Sequence, residues 1–458
     1  MMGMPVNARV YVRDFGPFEE ASIEVRPLTV LVGRNSVGKS MLLQLVWALT
    51  VAMPDLKLLG EAVSELGAGE LVGEVLEGVE KGSASRDSFK RLLKLYLEAL
   101  PGALATGLGR TLEEVFGAGL QELVRSGSGR AVVGVAGSFS SIEFVIEGGR
   151  LAVSRHKPYE GFLDELEVTV PAPGRLRIIH RLSGVSLYDE AVLSPSDLVD
   201  AVLKVLAIYL YKALDIFFEA PGVSVLLPDS RAGLSRILLK PYARPSLLKD
   251  VLYPDEHFRD AYFMLAESLA EGKVDTGDLE DFLRELGCSV EAIPEGGVRA
   301  VYVNTWSGQR LPLPRAPSGV RESLAVALAL VVPEQPWLVF IEEPEAHLHP
   351  RAQKALARLI ARAVKKHGKV VVLSTHSDYL LYAVSNMVAL SSSPGVAERL
   401  GYSAAEVLDP GLVAAYLLRA EGRRAVVERL DVGPEGVPEE EFVRVAEELA
   451  EERARILA

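Results

Sequence analysis

The 458-residue sequence contains a single cysteine, Cys288, and no Cys-x-x-Cys or cysteine–histidine cluster. One thiol cannot form an intrachain disulfide, so this count excludes a disulfide framework and is typical of a reducing compartment. Asparagine and glutamine are also scarce, with four and five copies against 49 Lys and Arg and 62 Asp and Glu. Few thermolabile amides among many charges are typical of a heat-adapted source.

Long uninterrupted hydrophobic runs are also missing. The most apolar long stretch, residues 197–220, is interrupted by Asp200, Lys204, Lys212 and Asp215, which favours a buried amphipathic helix over a membrane span. The N-terminus shows no secretory signal pattern, so we expect a cytoplasmic protein with no membrane partner. The net charge of −13 argues against a surface that wraps nucleic acid, although it leaves room for a local basic groove.

The most informative stretch lies between an apolar strand pattern at 28–32 and an apolar helical pattern at 41–50. It reads Gly33-Arg34-Asn35-Ser36-Val37-Gly38-Lys39-Ser40 and matches the phosphate-loop pattern G-x-x-x-x-G-K-[ST]. Its glycines let backbone N–H groups surround a phosphate, Lys39 adds positive charge for the β- and γ-phosphates, and the Ser40 hydroxyl is a ligand for Mg²⁺. The stretch therefore predicts a nucleoside-triphosphate site.

A second constellation follows another apolar strand pattern at 338–341, which leads directly into Glu342 and Glu343. The carboxyl ends of parallel strands border the ligand crevice. We therefore expect Glu342 to meet Mg²⁺ beside the phosphate loop and Glu343 to polarise an attacking water. The alternative is an exposed strand end with two solvated acids.

Apolar strands that alternate with helices after residue 298 predict a parallel sheet covered on both faces. The fold class is α/β, with a mixed sheet, an N-terminal antiparallel hairpin and a largely helical insertion. Strand patterns at 131–135, 141–146, 166–170 and 175–180 are spaced like an antiparallel meander. We divide the chain into the N-terminal part of the nucleotide domain (1–55), a helical insertion (56–130), antiparallel strands (131–190), a second helical insertion (191–295), the C-terminal part of the nucleotide domain (296–430), and a linker with a final helix (431–458).

Residues 342–350, Glu-Glu-Pro-Glu-Ala-His-Leu-His-Pro, resemble the combined Walker B and D-loop of ABC-type ATPases. The resemblance is to their RecF/SMC-like branch, including stand-alone ATPases related to OLD-family nucleases. Three further segments resemble that family in chain order: the hairpin at 13–18, a signature-like loop at 317–322 and a strand end at 374–377. The resemblance covers the first 50 residues and about 300–390, and it implies a P-loop NTPase fold of the ABC-ATPase type.

This resemblance implies Mg²⁺-dependent ATP hydrolysis by a head-to-tail homodimer that encloses two ATP molecules. It assigns His376 to the γ-phosphate and attacking water, and Ser318 and Gly319 to the ATP bound by the partner subunit. The loop departs from the usual LSGGQ, because Val320 and Arg321 replace the second glycine and the glutamine. The alternative for Ser318 is a simple helix N-cap.

The N-terminal hairpin comes immediately before the phosphate-loop strand, so we expect Arg13, Asp14 and Phe15 near the base or ribose of the nucleotide. The alternative is that Phe15 belongs to the hairpin core and Arg13 is a solvated charge. Gln121 is the only glutamine in the inserted part and cannot be assigned as the family's Q-loop residue.

Histidines 347 and 349 form a Glu-x-His-x-His run with Glu345. Such spacing puts both rings on one side only in a strand, whereas Pro350 marks a turn here, so we expect no zinc site.

Two basic stretches bear on nucleic acid as a partner. The first contains Arg231, Arg236, Lys240, Arg244 and Lys249, and the second contains Arg351, Lys354, Arg358, Arg362 and Lys365. Each is either a solvated face over a core or a contact for DNA. Neither interleaves aromatic residues for base stacking.

Three functions remain open. The first is an ATP-gated clamp in DNA repair or anti-phage defence that works with a separate nuclease or other effector, since the 82 residues after His376 lack an Asp-x-Asp metal pair. The second, a transporter nucleotide-binding subunit, is disfavoured because 285 residues separate Gly33 from Ser318. The third is a regulatory or scaffold protein that binds ATP with little turnover.

Overall fold

A computed structural model describes residues 8–83, 86–215, 224–231, 252–295, 298–333, 336–438 and 440–457. The chain divides into two compact units. One contains Ile23–Trp47 and Pro221–Ala458, and the other contains Asn7–Ser22 and Ala48–Ala220. The phosphate loop and the acidic strand end therefore belong to the same unit although about 300 residues separate them in the sequence.

The described residues contain both strands and helices in each unit. The strands are β1 Arg9–Phe15, β2 Phe18–Glu24, β3 Leu28–Gly33, β4 Arg130–Ala136, β5 Ser141–Glu147, β6 Arg150–Lys157, β7 Leu166–Ala172, β8 Arg175–His180, β9 Val185–Ala191, β10 Ser224–Leu227, β11 Cys288–Glu295, β12 Val298–Thr305, β13 Arg310–Pro312, β14 Leu338–Glu342, β15 Val370–Thr375, β16 Val413–Glu421 and β17 Arg424–Leu430. The helices are α1 Lys39–Val51, α2 Leu56–Glu65, α3 Ala68–Glu80, α4 Arg86–Phe116, α5 Pro195–Leu214, α6 Tyr253–Ala270, α7 Thr276–Glu285, α8 Ser318–Val331, α9 Pro350–Lys365, α10 Asp378–Ala389, α11 Pro394–Arg399 and α12 Glu440–Leu457.

The first unit is built on a sheet with the strand order β10-β14-β15-β3-β16-β17. The first five strands are parallel and β17 returns antiparallel to β16. Every residue of β3, β14 and β15 is buried, as expected for strands covered on both faces. The parallel sheet predicted from the alternating strand and helix patterns is confirmed.

Parallel pairing brings the carboxyl ends of these strands to one edge of the sheet. Glu342 of β14 lies opposite Ser374 of β15, and Thr375 of β15 lies opposite Val32 of β3. The segments that leave β10, β14, β15 and β3 therefore emerge side by side, which is where ligands bind in open α/β sheets.

The second unit contains an antiparallel sheet with the order β2-β1-β4-β5-β6 and the helices α2 to α5. The predicted hairpin at the N-terminus is present as β1 and β2. Helix α4 packs closely on the segment before α2 at Gly107, where a Cβ would lie 1.7 Å from the carbonyl oxygen of Met53. A side chain at this position would force the two backbones apart.

The structure corrects the single meander expected between 131 and 180. Strands β4, β5 and β6 extend the sheet of β1, whereas β7, β8 and β9 form a separate three-stranded sheet. Strand spacing alone cannot distinguish one antiparallel series from two, because the local hairpins are the same. Strands β6 and β9 are not predicted from the sequence, because most of their side chains are exposed or half-buried and give no hydrophobic pattern.

The helix expected over 197–220 begins at Pro195 with a capping box formed by Ser194 and Asp197, and it ends at Leu214. Residues 216–223 lie outside the described residues. Within the described residues, no helix by itself has the length and hydropathy to cross a bilayer, and only the bent pair α1 and α2 meets both criteria together.

A buried lysine generates a prediction about stability. Lys369 is 1% exposed and donates a hydrogen bond from Nζ to the carbonyl oxygen of Pro336 at 2.7 Å. Burial lowers the pKa of its ammonium from 10.5 to about 7. Between these two values the folded protein binds fewer protons than the unfolded chain, so the contribution of Lys369 to stability rises with pH in this window.

We predict that Lys369→Met removes this dependence. The difference in the free energy of unfolding, variant minus wild type, should have its largest value near pH 6. It should then fall toward pH 10, with a slope of at most about 1.4 kcal/mol per pH unit. Urea unfolding at each pH measures the difference. The exposed Lys354→Met is the control and should give a flat difference; a flat difference for Lys369→Met would contradict the prediction.

Candidate functional site

The phosphate-loop segment joins the end of β3 at Gly33 to the start of α1 at Lys39. Gly33, Ser36 and Gly38 have positive φ angles of 151°, 64° and 92°. A Cβ at residue 33 would lie 2.3 Å from the carbonyl oxygen of Leu418 on β16. Glycine is therefore required at 33 both for the backbone conformation and for the close approach of β16.

The side chain of Lys39 is enclosed by this loop. It is 6% exposed and donates from Nζ to the carbonyl oxygens of Gly33 and Arg34, each at 2.8 Å. Burial lowers the pKa of its ammonium, whereas the charges of Glu343 and Glu345 act in the opposite direction. The other predicted loop residues are mostly at the surface: Arg34, Asn35, Ser36 and Ser40 are exposed, Gly38 is half-buried and Val37 is buried.

Glu342, the last residue of β14, is 1% exposed. Its Oε1 accepts a hydrogen bond from Gln44 Nε2 at 2.9 Å, and its Oε2 accepts from the backbone N–H of Asp229 at 3.1 Å. Gln44 lies one helical turn after Ser40 on α1, so the two side chains share a helix face. The structure thus places the Glu342 carboxylate beside the first turn of α1.

Burial raises the pKa of the Glu342 carboxyl to about 7. A nearby divalent cation would offset this cost, and carboxylate and hydroxyl oxygens are the hard ligands that Mg²⁺ prefers. Glu342 and Ser40 therefore fit a Mg²⁺ site completed by phosphate oxygens. Among the described residues, no group of three or more His, Cys, Asp or Glu side chains could hold a metal by itself.

Glu343 and His376 meet directly across the ends of β14 and β15. Oε1 of Glu343 lies 3.3 Å from Nδ1 of His376, and both side chains are partly exposed. Beneath them Glu345 is 5% exposed, and its Oε1 accepts from Thr375 Oγ1 at 2.6 Å and from the backbone N–H of His376 at 3.1 Å. The buried carboxylate of Glu345 therefore fixes the strand end that carries His376.

The signature-like turn leads into α8. Ser318 is the first helical residue after Pro317, which makes no side-chain cap hydrogen bond, so the N-cap alternative for Ser318 is wrong. Ser318 and Gly319 are half-buried. A Cβ at Gly319 would lie 3.0 Å from the carbonyl oxygen of His347, so glycine lets the start of α8 approach the turn after β14 closely.

The two histidines of this turn have local partners. His347 has a φ of 61° and its Nε2 lies 3.3 Å from Oε2 of the buried Glu322 on α8. His349 is the N-cap of α9 and its Nδ1 accepts from the N–H of Arg351. These two histidines line an open groove of about 610 Å³, together with residues that include Glu345, Gln353 and His376.

Comparison with known protein sequences gives two matches to parts of this chain. A family model described as "AAA domain, putative AbiEii toxin, Type IV TA system" matches residues 208–381. The energy-coupling factor transporter ATP-binding protein EcfA of Carboxydothermus hydrogenoformans is 31% identical over 97 residues, which are 21% of this chain and 35% of that relative's length. Parts of the chain are therefore similar to an AAA domain and to an ATP-binding protein, and the chain spans about a third of that relative's length.

Solved structures similar to the chain are SMC heads. One is the SmcHead bound to the C-winged helix domain of ScpA, with a TM-score of 0.41, 13% identity, and coverage of 92% of this chain and 97% of that chain. Another is the SMC head domain from Thermotoga maritima, with a TM-score of 0.36, 12% identity, and coverage of 93% and 98%.

The hairpin residues predicted near the nucleotide belong to the second unit. Phe15 is fully buried and packs edge-on against Phe116 with ring centroids 5.9 Å apart, which agrees with the alternative that it is a core residue. Arg13 is half-exposed and pairs with Glu143 at 2.9 Å. Its contact with the nucleotide stays a prediction.

The first basic stretch differs from both interpretations given to it at Arg231, which is the one of its five basic residues that the structure describes. Arg231 is 2% exposed, so it is neither a solvated charge nor a DNA contact; the rest of that stretch, residues 236–249, lies outside the described residues. On α9, Arg358 and Arg362 both bind the buried carboxylate of Glu406. Lys365 pairs with Asp409 at 3.0 Å, so acids neutralise much of this helix face.

Sequence reasoning missed two residues of the candidate site, Gln44 and Asp229, as well as the burial of Arg231 and the structural role of Glu345. Gln44 and Asp229 act on Glu342 through single hydrogen bonds across elements distant in sequence, which no local pattern reveals. One available signal was position, because Asp229 follows a buried parallel strand at the same sheet edge. Gln121 accepts from the N–H of Gly149 in the second unit, which gives it a local partner.

Proposed function

We propose that this protein hydrolyses ATP with Mg²⁺ and that its ATP-bound form is a head-to-tail homodimer. The observation that carries the proposal is the contact of Glu343 with His376 at the sheet edge where Lys39 and Glu342 also lie. A carboxylate and an imidazole beside a phosphate loop are the groups that orient water toward a γ-phosphate.

The binding roles follow from position and charge. The loop amides of 33–40 and the Lys39 ammonium hold the β- and γ-phosphates, while Ser40 and Glu342 hold Mg²⁺. When bound, Mg²⁺ neutralises charge on the phosphate oxygens. The Gln44 side chain orients the Glu342 carboxylate toward the start of α1.

The hydrolytic roles fall to Glu343 and His376. The Glu343 carboxylate accepts a hydrogen bond from a water molecule and aims its oxygen at the γ-phosphorus. The water oxygen bonds to the γ-phosphorus as Glu343 takes one of the water protons, and the bond between that phosphorus and the bridging oxygen of ADP breaks, which releases ADP and phosphate. His376 donates to the γ-phosphate, and its backbone is held in place by Glu345.

The dimer is proposed from the start of α8. Ser318 and Gly319 begin a helix, whose N-terminal N–H groups and dipole favour an anion, and both are accessible at least in part. In the head-to-tail arrangement they cap the γ-phosphate bound by the partner subunit. Val320 and Arg321 are buried in place of the usual glycine and glutamine, so fewer polar groups face the partner than in LSGGQ.

The cellular role that we propose is action on DNA in the cytoplasm, in repair or anti-phage defence, together with a separate effector such as a nuclease. This part rests on the resemblance to the RecF/SMC-like branch. The described basic residues of α9 add little to it, since three of the five are paired with acids.

We predict that Glu343→Gln binds ATP normally, accumulates as a dimer and loses turnover. Loss of a general base costs about 10²- to 10⁴-fold in rate, whereas the amide keeps the shape of the side chain. Steady-state phosphate release and light scattering with ATP and Mg²⁺ measure the two effects. Lys39→Ala is the control, because it should lose ATP binding, dimer and turnover together.

Turnover by Glu343→Gln at the wild-type rate would remove Glu343 from its role. Wild-type turnover no higher than that of Lys39→Ala would instead favour the regulatory alternative with little hydrolysis.

We predict that duplex or single-stranded DNA stimulates this ATPase at low salt. Phosphate contacts dominate such binding, so the stimulation should weaken as salt rises from about 50 to 200 mM. Phosphate release with and without DNA measures it, with Glu343→Gln as the blank. No binding and no stimulation by either form of DNA would contradict the DNA role and leave the ATPase proposal standing.

A further inference from the structure

A single buried guanidinium spans the end of the acidic strand β14. Arg231 lies four residues beyond the end of β10 and is 2% exposed. Its Nη1 donates to the carbonyl oxygens of Pro228 at 2.9 Å and Glu342 at 2.5 Å, and its Nη2 donates to the carbonyl oxygen of Glu343 at 2.5 Å. The planar fork therefore holds two successive peptide groups with two separate nitrogen donors in a fixed geometry, whereas a lysine offers one nitrogen on a shorter side chain.

The peptide groups that it holds belong to an unusual backbone conformation. Glu343 has a φ of 46°, in the left-handed region, which is unfavourable for a residue other than glycine. Its N–H donates to the carbonyl oxygen of Ser374 at 2.9 Å, while its own carbonyl points to Arg231. With both sides of the residue held, its carboxylate lies 3.3 Å from the His376 ring.

The charge of Arg231 is compensated where it lies. Burial lowers the pKa of its guanidinium, whereas the charges of Glu322, Glu345, Asp229 and Glu342 act in the opposite direction. An unpaired buried charge is strongly destabilising, and these acids provide the counter-charge. Hydrogen bonds from a charged donor are also stronger than those between neutral groups, so the two carbonyl contacts suit a constraint on the backbone.

We propose that Arg231 is a positioning residue that holds Glu343 in its left-handed conformation and thereby aims the Glu343 carboxylate at the attacking water. This inference rests on the proposed function of Glu343. Arg231 acts through main-chain carbonyl groups and touches neither the nucleotide nor the water. It also differs from both sequence interpretations of its basic stretch, which placed it at the surface.

The first test is Arg231→Lys, which keeps a positive charge among the four acids but replaces the two Nη donors of the planar fork with one ammonium on a shorter side chain. Turnover should fall about 10- to 100-fold, the scale of one lost charge-assisted hydrogen bond. The dissociation constant for ATP, measured by titration in the absence of Mg²⁺ so that no hydrolysis occurs, should stay within about threefold, since the phosphate loop is untouched.

The matched control is Arg358→Lys. Arg358 likewise donates to two groups with its guanidinium. These are the carboxylate of Glu406 and the main-chain carbonyl of Gly401, away from the nucleotide site. Its turnover should stay at the wild-type rate. A loss in this control equal to that of Arg231→Lys would mean that any broken arginine fork slows the ATPase, and the proposal would be overturned.

A double-variant cycle separates positioning from general structure. Adding Arg231→Lys to Glu343→Gln should cause no further loss of residual turnover, because the group that Arg231 aims is already gone. An additive further loss would overturn the proposal. Arg231→Gln, whose amide reaches one carbonyl group, serves as a second variant. If circular dichroism shows that neither Arg231 variant folds, the residue is structural and the proposal is likewise overturned.

The two proposals fail in different ways. If Glu343→Gln keeps wild-type turnover, the proposed function of Glu343 fails and this inference fails with it. If Glu343→Gln loses turnover while Arg231→Lys keeps it, or if Arg231→Lys weakens ATP binding without slowing turnover, only the role of Arg231 is overturned.

Discussion

The parallel pairing of β14, β15 and β3 is the constraint on which the rest of the candidate site depends. Its register sets Ile341 opposite Leu373 and Leu373 opposite Val30, so the three strands end within a residue or two of one another. All three are fully buried, which makes a slip of register costly in lost hydrophobic contact. Residues from three distant parts of the sequence therefore emerge at one sheet edge.

Buried charge is the second organising feature of this edge. Lys39, Glu342, Glu345 and Arg231 are each at most 6% exposed, although isolated charges are rarely buried. Each is held by hydrogen bonds to main-chain or side-chain groups of neighbouring elements. Burial raises the pKa of Glu342 and lowers that of Lys39, so it disfavours the charged form of both. A bound triphosphate would favour the charged form of Lys39, and Mg²⁺ would favour that of Glu342.

The parts of the fold that could be predicted are those in which neighbouring residues in the sequence determine the local structure. The phosphate loop at 33–40 carries its own turn glycines, and Glu342 and Glu343 directly follow an apolar strand, so strand, turn and function can be inferred from neighbouring residues. The α/β class and the parallel sheet followed from the same local patterns. The roles of the individual site residues remain proposals.

The parts that could not be predicted depend on contacts between distant segments. Arginine is usually found at the surface. Only the hydrogen bonds of Arg231 to the carbonyl groups of Glu342 and Glu343, more than 100 residues away, reveal that it is buried against β14. The sequence left open whether Phe15 lies near the nucleotide or in the hairpin core, and only its contact with the distant Phe116 shows that it faces a core. The separation of β7–β9 from β4–β6 likewise depends on pairing partners and leaves no mark on the local pattern.

The most direct test of the account is a crystal or cryo-electron microscopy map of the protein with a non-hydrolysable ATP analogue and Mg²⁺. The account predicts the γ-phosphate beside Lys39, the metal between Ser40 and Glu342, a water between Glu343 and the γ-phosphorus, and Ser318 of a second copy on the opposite side. A nucleotide bound elsewhere, or a metal remote from Glu342, would contradict it.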